Sequence, residues 1–144
     1  MEKQSIIITG ASGFIGRHLL DRIKERYRIF GIARRSQVRS GAPVHSNIQW
    51  FQVDIAEREE LERAFVRIRD QGGARIVIHL AAHYDFTGRE DPEYERTNVV
   101  GLRNVLDCCR SLEIDHFVFS SSLAAWAIAA SATSIRATSS TRCL

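Results

Sequence analysis

Residues Ile6 to Ile23 read "IIITGASGFIGRHLLDRI", and the reading of this stretch decides the fold. An apolar, β-rich run from Ser5 to Thr9 leads into three glycines, Gly10, Gly13 and Gly16, which open a segment of helical character. Strand, glycine turn and helix in that order are the context that makes such a pattern a phosphate-binding turn. Gly10 can take the tight turn at positive φ, Gly13 lets the backbone approach a pyrophosphate, and Gly16 lets the helix pack close to a sheet. The unpaired N–H groups and positive end of the helix then face the anion. The spacing is G-x-x-G-x-x-G rather than G-x-G-x-x-G, and three glycines serving only turn and packing are the alternative.

Outward from this turn, short apolar runs alternate with longer stretches of helical period, the signature of an α/β protein with a parallel sheet. Five strands are expected: Ser5 to Thr9, Arg28 to Ala33, Ile48 to Asp54, Arg75 to Ala81 and His116 to Ser120. Their centres are nearly continuous in apolar residues, as suits strands covered on both faces. A helix over Glu57 to Asp70 places Leu61, Ala64, Phe65 and Ile68 on one face and stops at Gly72 and Gly73. Asp91-Pro92 reads as an N-cap with proline at the first helical position, and Val99, Leu102, Leu106 and Cys109 form the expected stripe of a helix reaching about Leu112.

Composition narrows the class. At 144 residues, 44% apolar and 26% charged, the chain has the make-up of one soluble domain, and no apolar run approaches the ~20 residues of a membrane span. "MEKQSIII" lacks the features of a secretory signal, so a cytoplasmic location is expected. Cys108, Cys109 and Cys143 lack both a disulfide framework and zinc-site spacing; they are expected to be free thiols, and no metal site is expected. The net charge of +3 is carried almost wholly by arginine, since Lys3 and Lys24 are the only lysines. Without a clustered basic face, that excess argues against nucleic acid as a partner.

"TGASGFIG" resembles the nucleotide-binding motif of the short-chain dehydrogenase/reductase superfamily, particularly its extended branch of NAD(P)-dependent epimerases, dehydratases and reductases. Further pieces agree in order and distance: "VDI" at Val53 to Ile55, "VIHLAA" at Val77 to Ala82, "TNVVGLRN" at Thr97 to Asn104 and "HFVFSSSLAAW" at His116 to Trp126. The resemblance implies a three-layer Rossmann-type fold with five parallel strands in order 3-2-1-4-5, and a crevice at their carboxyl ends near Gly13, Ala81 and Ser120. It implies cofactor contacts from Gly10, Ser12, Gly13, Phe14, Ile15 and Gly16, from Asp54 and Ile55, and from Ser120. Asp54 would meet the adenine ring edge, and Ala81 and Ala82 would wall the nicotinamide ribose. His79 is read as a hydrogen-bonded core histidine, and Asn98 as a brace between strand and helix. His83, Tyr84 and Asp85 lie in the loop after the fourth strand, where either a plain loop or a substrate contact is open.

The second strand ends "FGIARRS", with Ala33 near the position where a carboxylate would hold a free ribose 2′-OH, and Arg34 and Arg35 follow. Two planar guanidinium forks suit a 2′-phosphate, so NADP is expected in preference to NAD; a merely solvated strand end is the alternative. The family's catalytic set is a hydroxyl after the fifth strand and a Tyr-x-x-x-Lys pair. Ser122 matches the hydroxyl best and Ser121 second, with strand-end capping as the alternative reading. The pair is missing: Tyr27, Tyr84 and Tyr94 have Gly31, Gly88 and Asn98 four residues on.

Residues 1–122 are therefore expected to form an NAD(P)-binding domain and 123–144 an atypical Ala/Ser/Thr/Arg-rich tail, helical near Ala124 to Ala130. The expectation is the cofactor-binding part of such an enzyme, ended by a premature stop or a frameshift and catalytically incomplete as this chain. The full-length family would act on a small-molecule substrate, with no membrane partner; a homodimer is compatible with the sequence. A non-catalytic dinucleotide-binding module that senses redox state fits the same turn.

Overall fold

The computed structural model describes residues 3–85, 87 and 89–121. Its centre is β1, Ser5–Thr9, with β2, Arg28–Ala33, on one side and β4, Ile76–His79, on the other. With β3, Ile48–Gln52, and β5, His116–Phe119, at the edges, the sheet is wholly parallel in order 3-2-1-4-5, as expected.

Side-chain alternation along β1 assigns its two faces. Ile6 and Ile8 point to a cluster with Leu20, Ile29 and Ala33, under α1, Phe14–Ile23. Ile7 points to the opposite cluster with Phe30, Phe51, Leu61, Phe65, Ile68, Val77 and Val105, under α3, Arg58–Asp70, and α4, Leu102–Cys109. Covering both faces requires apolar residues at successive positions, which is why these strands read as continuous runs. Each fully buried Ile, Leu or Phe contributes about 1.5–3 kcal/mol.

Several expectations need correction. The strands end earlier than expected, at Gln52, His79 and Phe119, because the chain leaves the ladder where it turns to form the crevice. The four-residue helix α2, Gln37–Ser40, was not expected; Ser36 Oγ caps it by accepting from Arg39 N–H, and Gly41 closes it at φ 67°. Asp91 does cap the later helix, accepting from Glu93 N–H at 2.9 Å. That helix then runs through a π-type stretch, Tyr94–Gly101, before α4 begins. The wider turns shift the phase, so Gly101, Asn104, Val105 and Cys108 face inward while Val99 and Leu106 are exposed. β5 also departs from the expectation of two covered faces: no further strand pairs with it among the described residues, and Val118 and Phe119 are exposed.

His79 is buried as expected, 2.8 Å from Thr9 Oγ1 through Nδ1, with Phe117 and Phe119 stacked alongside. Burial pushes its pKa from 6.5 down to about 4. The folded chain therefore holds the ring neutral where an unfolded chain would take a proton. The resulting stability is fully present above pH 6.5 and is lost as pH falls towards 4. Urea denaturation at several pH values should show a loss about 1.4 kcal/mol per pH unit steeper in the wild type than in His79→Asn within that window. Parallel pH profiles would show that His79 does not titrate differently in the two states.

Candidate functional site

The first cleft, about 390 Å³, opens where β1 to β4 end, and its walls follow from that position. Gly10, Ser12 and Gly13 form one wall, Ala33, Arg34 and Arg35 the second, Asp54 and Ile55 the third, and Ala81, Ala82 and Thr97 close it. The turn is held at close quarters. Gly10 has φ 70°, and a Cβ there would lie 2.5 Å from Ala81 N and 2.7 Å from Leu80 O. A Cβ on Gly16 would lie 2.4 Å from Gly10 O, so the helix start presses directly on the turn. Gly13 N–H donates to Gly10 O at 2.9 Å; the first-turn amides after it have no earlier turn of helix to bond to. Phe14 and Ile15 lie in that first turn with exposed side chains, outside the lining of the cleft, and Gly16 is buried behind it.

Arg34 and Arg35 both line the cleft but are held differently. Arg35 Nη2 donates to Ser12 O at 2.7 Å, tying the end of β2 to the glycine turn. Arg34 Nη1 reaches across to Glu93 Oε1 at 3.0 Å. Asp54 lies at the rim with both oxygens engaged: Oδ1 accepts from Ala56 N–H at 3.0 Å, and Oδ2 pairs with Arg96 Nη1 at 2.9 Å. Arg96 also meets Glu57 at 2.6 Å and Glu93 at 3.1 Å. Its hydrogen bonds to Glu57 and then to Asp54 raise the Arg96 pKa above its ordinary value. Asn104 supports the same rim from below, donating from Nδ2 to Ile55 O at 3.0 Å.

A second cavity of about 330 Å³ shares Leu80, Ala81 and Ala82 with the first and continues along the strand ends to Ser120 and Ser121. His83 and Tyr84 line it. His83 donates through Nε2 to Asp91 Oδ2 at 2.9 Å, and Asn98 brackets its backbone, accepting from His83 N–H at 2.7 Å and donating to His83 O at 2.9 Å. Asn98 thus braces the loop after β4 against the helix. Asp85 instead accepts from Thr87 within the loop, while Tyr94 Oη donates to Asp85 O at 2.9 Å. Ser122 lies outside the described residues. Among the described residues, no group of three or more His, Cys, Asp or Glu is placed to hold a metal ion, and no helix is long and apolar enough to cross a membrane.

Sequence reasoning missed Thr97, Glu93, Arg96 and Asn104 as parts of this rim. Thr97 and Asn104 sit in the quoted "TNVVGLRN", which was a usable signal. Glu93 and Arg96 pair locally at i,i+3, but nothing in the sequence placed them at the cleft, because the partners that do so, Arg34, Asp54 and Glu57, lie tens of residues away.

The model of the NAD dependent epimerase/dehydratase family matches residues 6–141, and the chain belongs to that family. It is 29% identical over 119 residues to a putative dihydroflavonol 4-reductase of Synechocystis, covering 82% of this chain and 32% of that protein. To dTDP-glucose 4,6-dehydratase of Neisseria gonorrhoeae it is 31% identical over 118 residues, covering 76% and 33%. The chain thus spans about a third of the length of these curated relatives. Among solved structures, UDP-glucose 4-epimerase of Thermus thermophilus, in complex with NAD, superposes with a TM-score of 0.70 at 27% identity, covering 83% of this chain and 38% of that one.

The packing of the turn can be separated from ordinary glycine effects. Gly16→Ala should lower stability by about 1–3 kcal/mol in urea denaturation, because its methyl meets backbone that cannot move aside. Gly72→Ala, at φ 99° with open space around it, should cost only the backbone strain of about 1–2 kcal/mol and leave ligand binding at the distant turn unchanged. Ligand binding lost equally in both variants would show that Gly16 has no particular role in shaping the turn.

Proposed function

We propose that this chain is the dinucleotide-binding part of an epimerase, dehydratase or reductase acting on a small hydroxyl or carbonyl substrate, and that it takes NADP in preference to NAD. The observation that carries the reading is the cradle at Gly10. Turn and post-β4 backbone meet there at a distance no side chain would permit, at the strand-order reversal where a dinucleotide is expected. The family match and the NAD complex of the Thermus epimerase support a nicotinamide dinucleotide as the ligand.

The residues present fit that group. Backbone amides in the first turn of α1, after Gly13, offer donors to a pyrophosphate, strengthened by the helix dipole. Asp54 and Ile55 would bound the adenine edge, Ala81 and Ala82 the nicotinamide ribose, and Ser120 the far end of the second cavity. Arg34 and Arg35, with Ala33 where a carboxylate would stand, favour a 2′-phosphate. When bound, the cofactor supplies hydride transfer. The protein's share would be orientation in the double cavity and proton handling at a substrate oxygen, in which Ser122 is the family's hydroxyl. No Tyr-x-x-x-Lys pair stands in the sequence to move that proton, so this chain alone should bind cofactor and turn over little or nothing.

Titration of the chain with NADPH and with NADH, followed by cofactor fluorescence, tests this. NADPH should bind at least about tenfold more tightly, and Arg34→Ala, which leaves the Arg35 tie to the turn in place, should remove most of the difference while changing NADH affinity little. Equal affinities in the wild type would overturn the NADP preference. Absence of binding by either cofactor would overturn the dinucleotide reading itself.

A further inference from the structure

At the rim of the first cleft, three donors converge on one carboxylate oxygen. Glu93 Oε1 accepts from Arg34 Nη1 at 3.0 Å, Arg96 Nη1 at 3.1 Å and Thr97 Oγ1 at 2.6 Å. The donors come from opposite sides: Arg34 follows β2, whereas Arg96 and Thr97 belong to the π-type stretch. Arg34 and Thr97 both line the cleft. Two guanidinium groups and a hydroxyl around a single anionic oxygen are the donor set that a phosphate monoester requires.

We propose that Glu93 is an internal stand-in for a ligand phosphate, and that Arg34, Arg96 and Thr97 form a phosphomonoester site at the adenosine end of the cleft that Glu93 closes until a phosphate displaces it. The inference rests on the proposed NADP reading for the source of that phosphate, the ribose 2′-position. It adds Arg96 and Thr97 to the ligand contacts and gives Glu93 a gating role.

The energetics suit an exchange. Arg34 is the exposed half of its pair with Glu93, at 54% against 25%, so this is the contact most readily given up, whereas the buried Thr97 hydroxyl needs the incoming phosphate as its new acceptor. Arg96 does not depend on Glu93 alone for its position, because Asp54 also accepts from its Nη1 and Glu57 accepts from its Nη2. One guanidinium thus stays anchored while Arg34 is free to turn. A phosphate monoester carries close to two negative charges where Glu93 carries one, so it competes well for both arginines. Thr97's hydroxyl first, and the charges of Arg96 and Arg34 after it, hold the Glu93 carboxyl below the usual range, so the stand-in is ionised at neutral pH. An unphosphorylated ribose has only neutral hydroxyls to set against two guanidinium groups and so displaces Glu93 less readily, which makes Glu93 a filter for the phosphorylated ligand.

Calorimetric titration of 2′,5′-ADP, 5′-ADP and inorganic phosphate into the wild type, Glu93→Gln, Arg96→Ala and Arg96→Lys tests the proposal. Glu93→Gln should bind 2′,5′-ADP about three- to tenfold more tightly, with 5′-ADP affinity little changed. Arg96→Ala should weaken 2′,5′-ADP about tenfold without a matching loss for 5′-ADP, and Arg96→Lys should recover part of the loss. If Glu93→Gln leaves the ratio of the two affinities unchanged or lowers it, Glu93 is a buttress and the proposal fails. If inorganic phosphate gains affinity in Glu93→Gln while the wild type fails to prefer 2′,5′-ADP, the anion site stands and the NADP reading falls. Failure of all three probes to respond to Glu93 or Arg96 would overturn both the site and its gate.

Discussion

The close approach of Gly10 to Leu80 and Ala81 is the constraint on which the rest of the structure depends. β1 and β4 are neighbours in the sheet, and beyond their last paired residues, Thr9 and His79, the two chains separate in opposite senses. β1 turns back through the glycines into α1 on one face, while the chain after β4 runs toward the helix on the other. A crevice opens between them because strand order reverses at this point. Its depth is set by how nearly the two backbones meet: a side chain at Gly10 would push them apart, and one at Gly16 would push α1 off the turn. Ala11, packed in the α1 cluster, fixes the turn from below.

Polar contacts then fix the rim. Arg35 ties β2 to the turn through Ser12 O, Asn104 ties α4 to the segment after β3 through Ile55 O, and Asn98 ties the π-type stretch to the loop after β4. These are bonds to backbone, and each one sets the course of a segment lining the double cavity. The Arg96 and Glu93 contacts differ in kind. They link charged side chains at the mouth, where Arg34, the most exposed of them, is the one free to turn while Arg96 stays held by Asp54 and Glu57.

The strand count and the glycine turn were legible because each has a local signature, in continuous apolar runs alternating with helical period and in glycines at a fixed offset from a strand; the strand order followed from the family resemblance. His79 was legible too, since a histidine inside an apolar strand must find a hydrogen-bond partner, and Thr9 is that partner. What was not legible came from longer-range geometry. The apolar stripe through Val99 and Leu106 was misplaced because a π-type stretch carries more residues per turn than the assumed period. Helix α2 is too short to show any period. Phe14 and Ile15 belong to the motif string and expose their side chains, so a cofactor contact there would be made by their backbone amides. The Arg34–Glu93 and Asp54–Arg96 pairs join residues dozens of positions apart, which no local pattern encodes.

Amide hydrogen exchange, with and without saturating NADPH, tests the central claim that the glycine turn and the rims after β2 and β3 form one dinucleotide site. Exchange should slow at the turn and first helical turn, residues 12–17, at the rim segments 33–36 and 54–57, and along the strand ends at 80–82 and 120, with the outer face of α3 unchanged. Unaltered exchange at residues 12–17, alongside protection elsewhere in the chain, would contradict it.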